Sequence, residues 1–220
     1  NNKSKIPFIN VKNFSNYNGR IISALNLAFV SFDYKYKIRS HKYIFWSDGL
    51  FSYLLTNKKK QPGRQLFSKI LHHIKKYNFN KRIIIFGNLP KVSKVWLHRN
   101  LKKKFKHYPL PYNSAYKLYY KIKNKILIDN SFIILTLPTP KQEMLANLII
   151  KDFPNCNILC IGGSINMLSG YEKKAPNFLY KLNLEWLWRL RFDTKRRMFR
   201  LLESFGLIIK LYVSGKNKIF

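Results

Sequence analysis

The sequence predicts an α/β fold: a Rossmann-like, mostly parallel sheet with flanking helices and a basic helical C-terminal appendage. Three observations carry this prediction. Short apolar runs at residues 43–46, 82–86, 132–137 and 158–161 end in glycine, proline or Ser-Asp-Gly. Stretches with helical spacing lie between several of them. Strands that alternate with helices favour a parallel sheet with right-handed crossovers. The chain has 220 residues, of which 46% are apolar. That suffices for one such domain and excludes disorder by composition.

Residues 1–18 read as an irregular polar lead-in, residues 19–188 as the α/β domain and residues 189–220 as the appendage. Residues 21–30 predict a first strand running into a helix or turn. Residues 43–46 predict a short strand, closed by the turn Ser47-Asp48-Gly49, after which a helix starts at Leu50. A basic loop over 57–63 ends at the breakers Pro62 and Gly63. Residues 64–77 then show helical spacing at Leu66, Ile70, Leu71 and Ile74. Arg82 to Phe86 reads as a buried strand stopped by Gly87, followed by a helix over 91–104. Nothing is assigned between 105 and 131. A buried strand over 132–137 leads into a turn and helix over 138–151. The last strand, 158–161, ends in Gly162-Gly163-Ser164. Residues 182–213 read as helices rich in Trp, Leu and Arg. Met198, Leu201, Leu202, Phe205, Ile208, Ile209 and Tyr212 are assigned to one helical face, flanked by Arg196, Arg197 and Arg200.

Forty-two Lys and Arg against nine Asp and Glu give a net charge of +33. Such a surface attracts polyanions: anionic lipid, nucleotide phosphates or nucleic acid. Lys, Asn, Ile, Tyr and Phe, whose codons are A/T-rich, all run high, so base composition is a competing source of the charge. A nucleic-acid-binding protein is the alternative reading on charge and 16% aromatic content. Basic residues spread along the whole chain and the lack of a recognised nucleic-acid module argue against it. Cys156 and Cys160 suggest neither a disulfide framework nor zinc, which points to a reducing compartment. No signal peptide and no apolar run of roughly 18 residues is evident, so a soluble or peripheral protein is expected.

Sheets of this kind bind ligands at the carboxyl ends of their strands. Three such ends, Asp48-Gly49, Gly87-Asn88 and Gly162-Gly163-Ser164, are expected to meet at one crevice. The acids narrow the search for a general base. Asp48 stands at a strand end, Glu143 near a helix start and Glu172 beyond the glycine turn, whereas Asp152, Asp193 and Glu203 read as solvated ion-pair partners. For Asp48 a plain Asp-Gly turn is the competing reading. No Asp-x-Asp occurs. Phosphate charge is therefore expected to meet Lys, Arg and backbone N–H groups, with no metal or cofactor. Gly162 and Gly163 would let a backbone approach phosphate, although a bare tight turn explains them as well. Thr139, Pro140 and Gln142 read as N-cap, first helical residue and capping-box partner. That role leaves unexplained Glu143, and Lys141 where an anion would dock. The five histidines show no ligand spacing, and His72 and His73 are expected at a helix surface.

Taken together, these segments resemble the WecG/TagA/CpsF family of glycosyltransferases. The likeness rests on Leu137-Pro138-Thr139-Pro140-Lys141-Gln142-Glu143, on the stretch from Ile161 through Gly170, on Lys174-Ala175-Pro176, and on Leu184-Glu185-Trp186-Leu187-Trp188-Arg189-Leu190. Arg196-Arg197 falls where the family carries further arginines. The N-terminal half is looser. Ser47-Asp48-Gly49 is similar to the family's Pro-Asp-Gly, residues 60–66 to Arg-x-x-Gly-x-Asp-Leu, and Ala24-Leu25-Asn26 to Thr-Pro-Asn. Ala24, Lys60, Gln65 and Asn166 depart from the family's threonine, arginine and two aspartates.

The resemblance implies an inverting transfer from a UDP-sugar, of the N-acetylmannosamine type or a hexose, to a polyprenol-diphosphate-linked sugar in surface-polymer synthesis. It assigns Asp48 as catalytic base. Asn26, Lys60, Arg64, Gln142, Glu143, Gly162, Gly163 and Asn166 would bind substrate. Arg189, Arg196, Arg197 and Arg200 would face the acceptor diphosphate and the membrane. A cytoplasmic protein held peripherally on the anionic inner face of the plasma membrane is expected. A non-catalytic relative acting in assembly is the further alternative, and an apolar helix face leaves oligomer formation open.

Overall fold

The structure, a computed structural model, describes residues 6–77, 79–101, 104–126, 130–176, 178–179, 185–190 and 194–213. Within the last two helices the side chains of residues 186, 189, 190, 194, 196, 197 and 212 lie outside that description. The strands are β1 (Ile21–Leu25), β2 (Tyr43–Ser47), β3 (Arg82–Phe86), β4 (Phe105–Tyr108), β5 (Ser131–Leu135) and β6 (Asn157–Cys160). They form one parallel sheet in the order β2-β1-β6-β5-β3-β4. The helices are α1 (Leu27–Tyr36), α2 (Gly49–Thr56), α3 (Gly63–Lys76), α4 (Lys91–Leu101), α5 (Ala115–Ile122), α6 (Lys141–Asp152), α7 (Ser164–Leu168), α8 (Glu185–Leu190) and α9 (Thr194–Val213). The predicted Rossmann-like α/β class is therefore present.

Strand alternation divides the core into two layers. Ile84 and Phe86 of β3, with Ile133 and Leu135 of β5, face the layer built by α1, α5 and α6. Ile83, Ile85, Phe132 and Ile134 face the layer built by α3 and α4. Because the central strands are covered on both faces, their sequences are unbroken apolar runs.

Several local readings change. The helix over 91–104 ends at Leu101, and β4 and α5 occupy part of the stretch to which nothing was assigned. The lead-in is anchored: a 3-10 turn, Val11–Asn16, buries Phe14 completely against Phe79 and Phe132. His73 is buried rather than superficial, and its Nε2 lies 2.7 Å from Ser15 Oγ. The apolar residues of α9 belong to two faces. Leu201, Ser204, Ile208 and Leu211 lie on the sheltered side, while Met198, Leu202, Phe205 and Ile209 are exposed. The sheltered side packs along α1, where Ser31 Oγ donates to the Ser204 carbonyl at 3.0 Å and Lys35 pairs with Glu203 at 2.8 Å.

Candidate active site

A cavity of about 530 Å³ opens at the carboxyl ends of the strands. Asp48, Asn88 and the turn Gly162-Gly163-Ser164 all line it, so the three predicted strand ends do meet there. Its remaining walls come from α1, the loop at 110–112, the start of α6, α7 and α9.

Asp48 takes the N-cap position of α2, yet its side chain makes no cap bond. Its backbone N–H donates to the Leu25 carbonyl at 3.2 Å, which ties the ends of β1 and β2 together. The half-buried carboxylate lies on the cavity wall. Asn26 stands at the equivalent position after β1. Its Oδ1 accepts from Phe29 N at 2.9 Å and caps α1. One side of that carboxamide is thus structural, while the residue still lines the cavity.

The capping box expected at 139–142 is absent. Pro140 is the N-cap of α6 and supplies no side-chain cap bond. Thr139 Oγ1 instead donates to Glu143 Oε1 at 3.1 Å. Glu143 lies wholly inside the protein, and its Oε1 also accepts from Ser23 Oγ at 2.9 Å and Gln142 Nε2 at 2.9 Å. Glu143 Oε2 has no partner among the described residues. Burial pushes the Glu143 carboxyl above the usual range, and the bonds from Gln142, Ser23 and Thr139 oppose the shift. Glu143 stands behind the wall, and Gln142 is the residue that lines it.

Gln142 Oε1 accepts the Gly162 N–H at 3.1 Å. Gly162, at φ 53°, occupies the left-handed region that glycine tolerates. Its N–H is therefore engaged by protein, contrary to the expectation that it would approach phosphate. Gly163 lines the cavity beside the Glu172 carboxylate. Asn166 also lines it, with Oδ1 accepting from Ser93 Oγ at 2.9 Å.

Two predicted substrate residues are not on the wall. Lys60 does not line the cavity, and neither does Arg64, whose guanidinium pairs with Glu185 of α8. Cations reach the site by another route. Lys141 lines the cavity, with Nζ 4.0 Å above the Tyr112 ring. Arg200 lines it from α9, its Nη1 donating to the Thr139 carbonyl at 3.5 Å. The side chains of Arg189, Arg196 and Arg197 lie outside the described residues. Trp46, Tyr112 and Ser204 are wall residues that sequence reasoning missed.

A sequence model of the glycosyl transferase WecG/TagA/CpsF family matches residues 50–218. The chain belongs to that family. The matched span covers the α6 start, the glycine turn and α9, and begins two residues after Asp48. Among individual relatives is the N-acetylglucosaminyldiphosphoundecaprenol N-acetyl-beta-D-mannosaminyltransferase of Staphylococcus aureus strain NCTC 8325 / PS 47. It is 30% identical over 98 residues, which are 44% of this chain and 38% of that enzyme. The same enzyme from strains COL and N315 matches equally. The matched part of this WecG/TagA/CpsF chain thus spans well under half the length of those relatives. Among its described residues, no group of three or more His, Cys, Asp or Glu side chains could hold a metal ion. No described helix is long and apolar enough to cross a membrane.

Proposed function

We propose that the chain is an inverting glycosyltransferase that moves a sugar from a UDP-sugar to a polyprenol-diphosphate-linked sugar. The observation that carries this reading is one cavity with a carboxylate, Asp48, at the end of β2 and two cations, Lys141 and Arg200, on other walls. Asp48 takes the proton of the acceptor hydroxyl as its oxygen bonds to the anomeric carbon. The bond from that carbon to the β-phosphate oxygen breaks, and its electron pair leaves with UDP. Lys141, Arg200 and the positive end of α6 meet the charge on UDP. The relatives' names make N-acetylmannosamine the first donor sugar to test, and diphosphoundecaprenol-linked N-acetylglucosamine the first acceptor. Ala24 and Asn166 line the cavity where the resemblance places a threonine and an aspartate, so a hexose donor is the second choice.

The acceptor is membrane-linked in this reading, and the chain docks on the anionic inner face of the membrane. Its support is the +33 charge together with the outward side chains of α9, Phe199 at 71% and Leu202 at 63% exposure.

Asp48→Asn tests the base. The variant keeps wild-type thermal stabilisation by UDP while transfer falls by about 10²–10⁴-fold. Undiminished turnover overturns the assignment of Asp48. Equal stabilisation by ADP or an oligonucleotide overturns the UDP-sugar reading.

A further inference from the structure

Trp46 is the penultimate residue of β2, 2% exposed, and its indole is part of the cavity wall. Its Nε1–H has no acceptor among the described residues. An indole N–H can only donate, and buried tryptophans ordinarily find a partner. Leaving such a donor unsatisfied is costly, because its hydration is lost with nothing in exchange. Nothing in the adjoining strand relieves this, because the register partner of Trp46 is Ala24, whose methyl group lines the same cavity.

Gly63 lies beside the indole. A β-carbon there would stand 2.6 Å from Ser164 Oγ and 3.6 Å from Trp46 Cζ2. Ser164 Oγ donates to the Ile161 carbonyl at 2.7 Å and does not accept from the indole. Trp46 is therefore an obligate donor without an acceptor among the described residues, on the cavity wall at the strand end that also carries Asp48.

The geometry points to Trp46 as a sugar-reading residue: its indole N–H donates to a neutral oxygen, hydroxyl or acetamido carbonyl, of the sugar carried by the nucleotide. This rests on the glycosyl-transfer reading above. A phosphate oxygen is the poorer fit. The Asp48 carboxylate on the same strand end repels a diphosphate placed there, whereas Lys141 and Arg200 attract it to the walls made by α6 and α9. The pocket is thus ordered, with sugar over β2 and diphosphate towards α6 and α9. In the ligand-free chain the N–H is shielded by protein, so the bond requires the indole to turn toward the cavity.

The test reads the indole directly. The chain has four tryptophans, so a proton–nitrogen correlation spectrum of the full chain holds four indole signals, and Trp46→Phe identifies one by its loss. UDP-N-acetylmannosamine, UDP-N-acetylglucosamine and UDP-glucose are titrated beside UDP alone. The expected result is a downfield shift of the Trp46 indole proton with the sugar nucleotide that is turned over, and a much smaller one with UDP. Trp46→Phe lowers kcat/KM for that donor about tenfold and changes UDP affinity less than about twofold. A Trp46 signal that ignores every bound UDP-sugar overturns the inference while leaving transfer intact. A shift as large with UDP, or an equal loss of UDP affinity, moves the contact to the diphosphate and overturns the sugar assignment. Should Trp46→Phe not fold, backbone-based assignment of the wild-type indole keeps the titration decisive. A wild-type chain that binds no UDP-sugar overturns the proposed function itself.

Discussion

Gln142 accepts the backbone N–H of Gly162 at 3.1 Å, so a single side chain on α6 sets the glycine turn after β6. Its amide nitrogen is committed too, donating to Glu143 Oε1 at 2.9 Å. Gln142→Ala removes both bonds and leaves a nearly buried N–H and carboxylate without this partner. It is expected to cost about 1–3 kcal/mol and to weaken stabilisation by UDP. Gln142→Glu is the sharper variant. It retains an acceptor for Gly162 but sets a second carboxylate against Glu143, and two carboxylates at that distance cannot both ionise. Its melting temperature should approach wild type as pH falls, while that of Gln142→Ala should not. A constant gap between Gln142→Glu and wild type across pH would refute the arrangement.

Glu143 yields a pH dependence of defined sign. Its carboxyl titrates above the ordinary range because it is buried, so the folded chain holds that proton more tightly than the unfolded chain does. Its contribution to stability is complete below the unfolded value of about 4.3 and is lost as pH rises through the higher folded value. Glu143→Gln has no such proton. The stability of Glu143→Gln minus that of wild type should therefore climb with pH across this window and then level off. Denaturant titrations at a series of pH values measure it, and a difference that shrinks with rising pH would contradict the burial of an ionisable carboxyl here.

The sequence was legible where one residue type answers to one local cause. Residues 82–86 and 132–135 read as strands because β3 and β5 are covered on both faces and must be apolar throughout. At the sheet edge β4 has no such requirement, and its Phe-Lys-His-Tyr leaves no run to detect. Asp48 and Gly162 were found because strand ends are punctuated by turn residues. Lys60 and Arg64 do not line the cavity, and the direction of a side chain at a helix start, where Arg64 stands, depends on what packs over it. For Arg64 that is Glu185, 121 residues away in sequence. Trp46 reads as an ordinary core residue in an apolar strand, since only the tertiary structure shows that its N–H lacks an acceptor.

The Arg64–Glu185 pair fastens α8 to the start of α3, with side chains only 13% and 11% exposed. The Lys35–Glu203 pair fastens α9 to α1 at 42% and 28%. Water screens the second far more than the first. Arg64→Ala is expected to lower the unfolding free energy by about 1–3 kcal/mol, since it withdraws a cation from a nearly buried carboxylate. Lys35→Ala is expected to lower it far less, because that pair is exposed to water. Equal shifts in the urea midpoint for the two variants would contradict this ranking.

Membrane docking through α9 has to be tested by substitution, because removing residues 189–220 would also remove the buried Ser204 and Leu211 and the Arg200 wall of the cavity. The outward face offers a cleaner probe. Phe199, Leu202 and Ile209 are exposed, and polar replacements there leave the packing against α1 in place. The triple variant Phe199→Ser, Leu202→Ser, Ile209→Ser should melt close to wild type. Each large apolar side chain buried in a lipid surface contributes about 1.5–3 kcal/mol. Losing three should reduce co-sedimentation with vesicles of mixed neutral and anionic lipid by more than an order of magnitude. Raising salt should weaken the remaining binding, because the rest of the attraction is that of a +33 chain for anionic headgroups. Turnover with a short water-soluble acceptor should stay near wild type, while turnover with the lipid-linked acceptor in vesicles should fall. A triple variant that sediments with vesicles as wild type does would remove the apolar face of α9 from the docking surface and leave charge alone to hold the chain at the membrane.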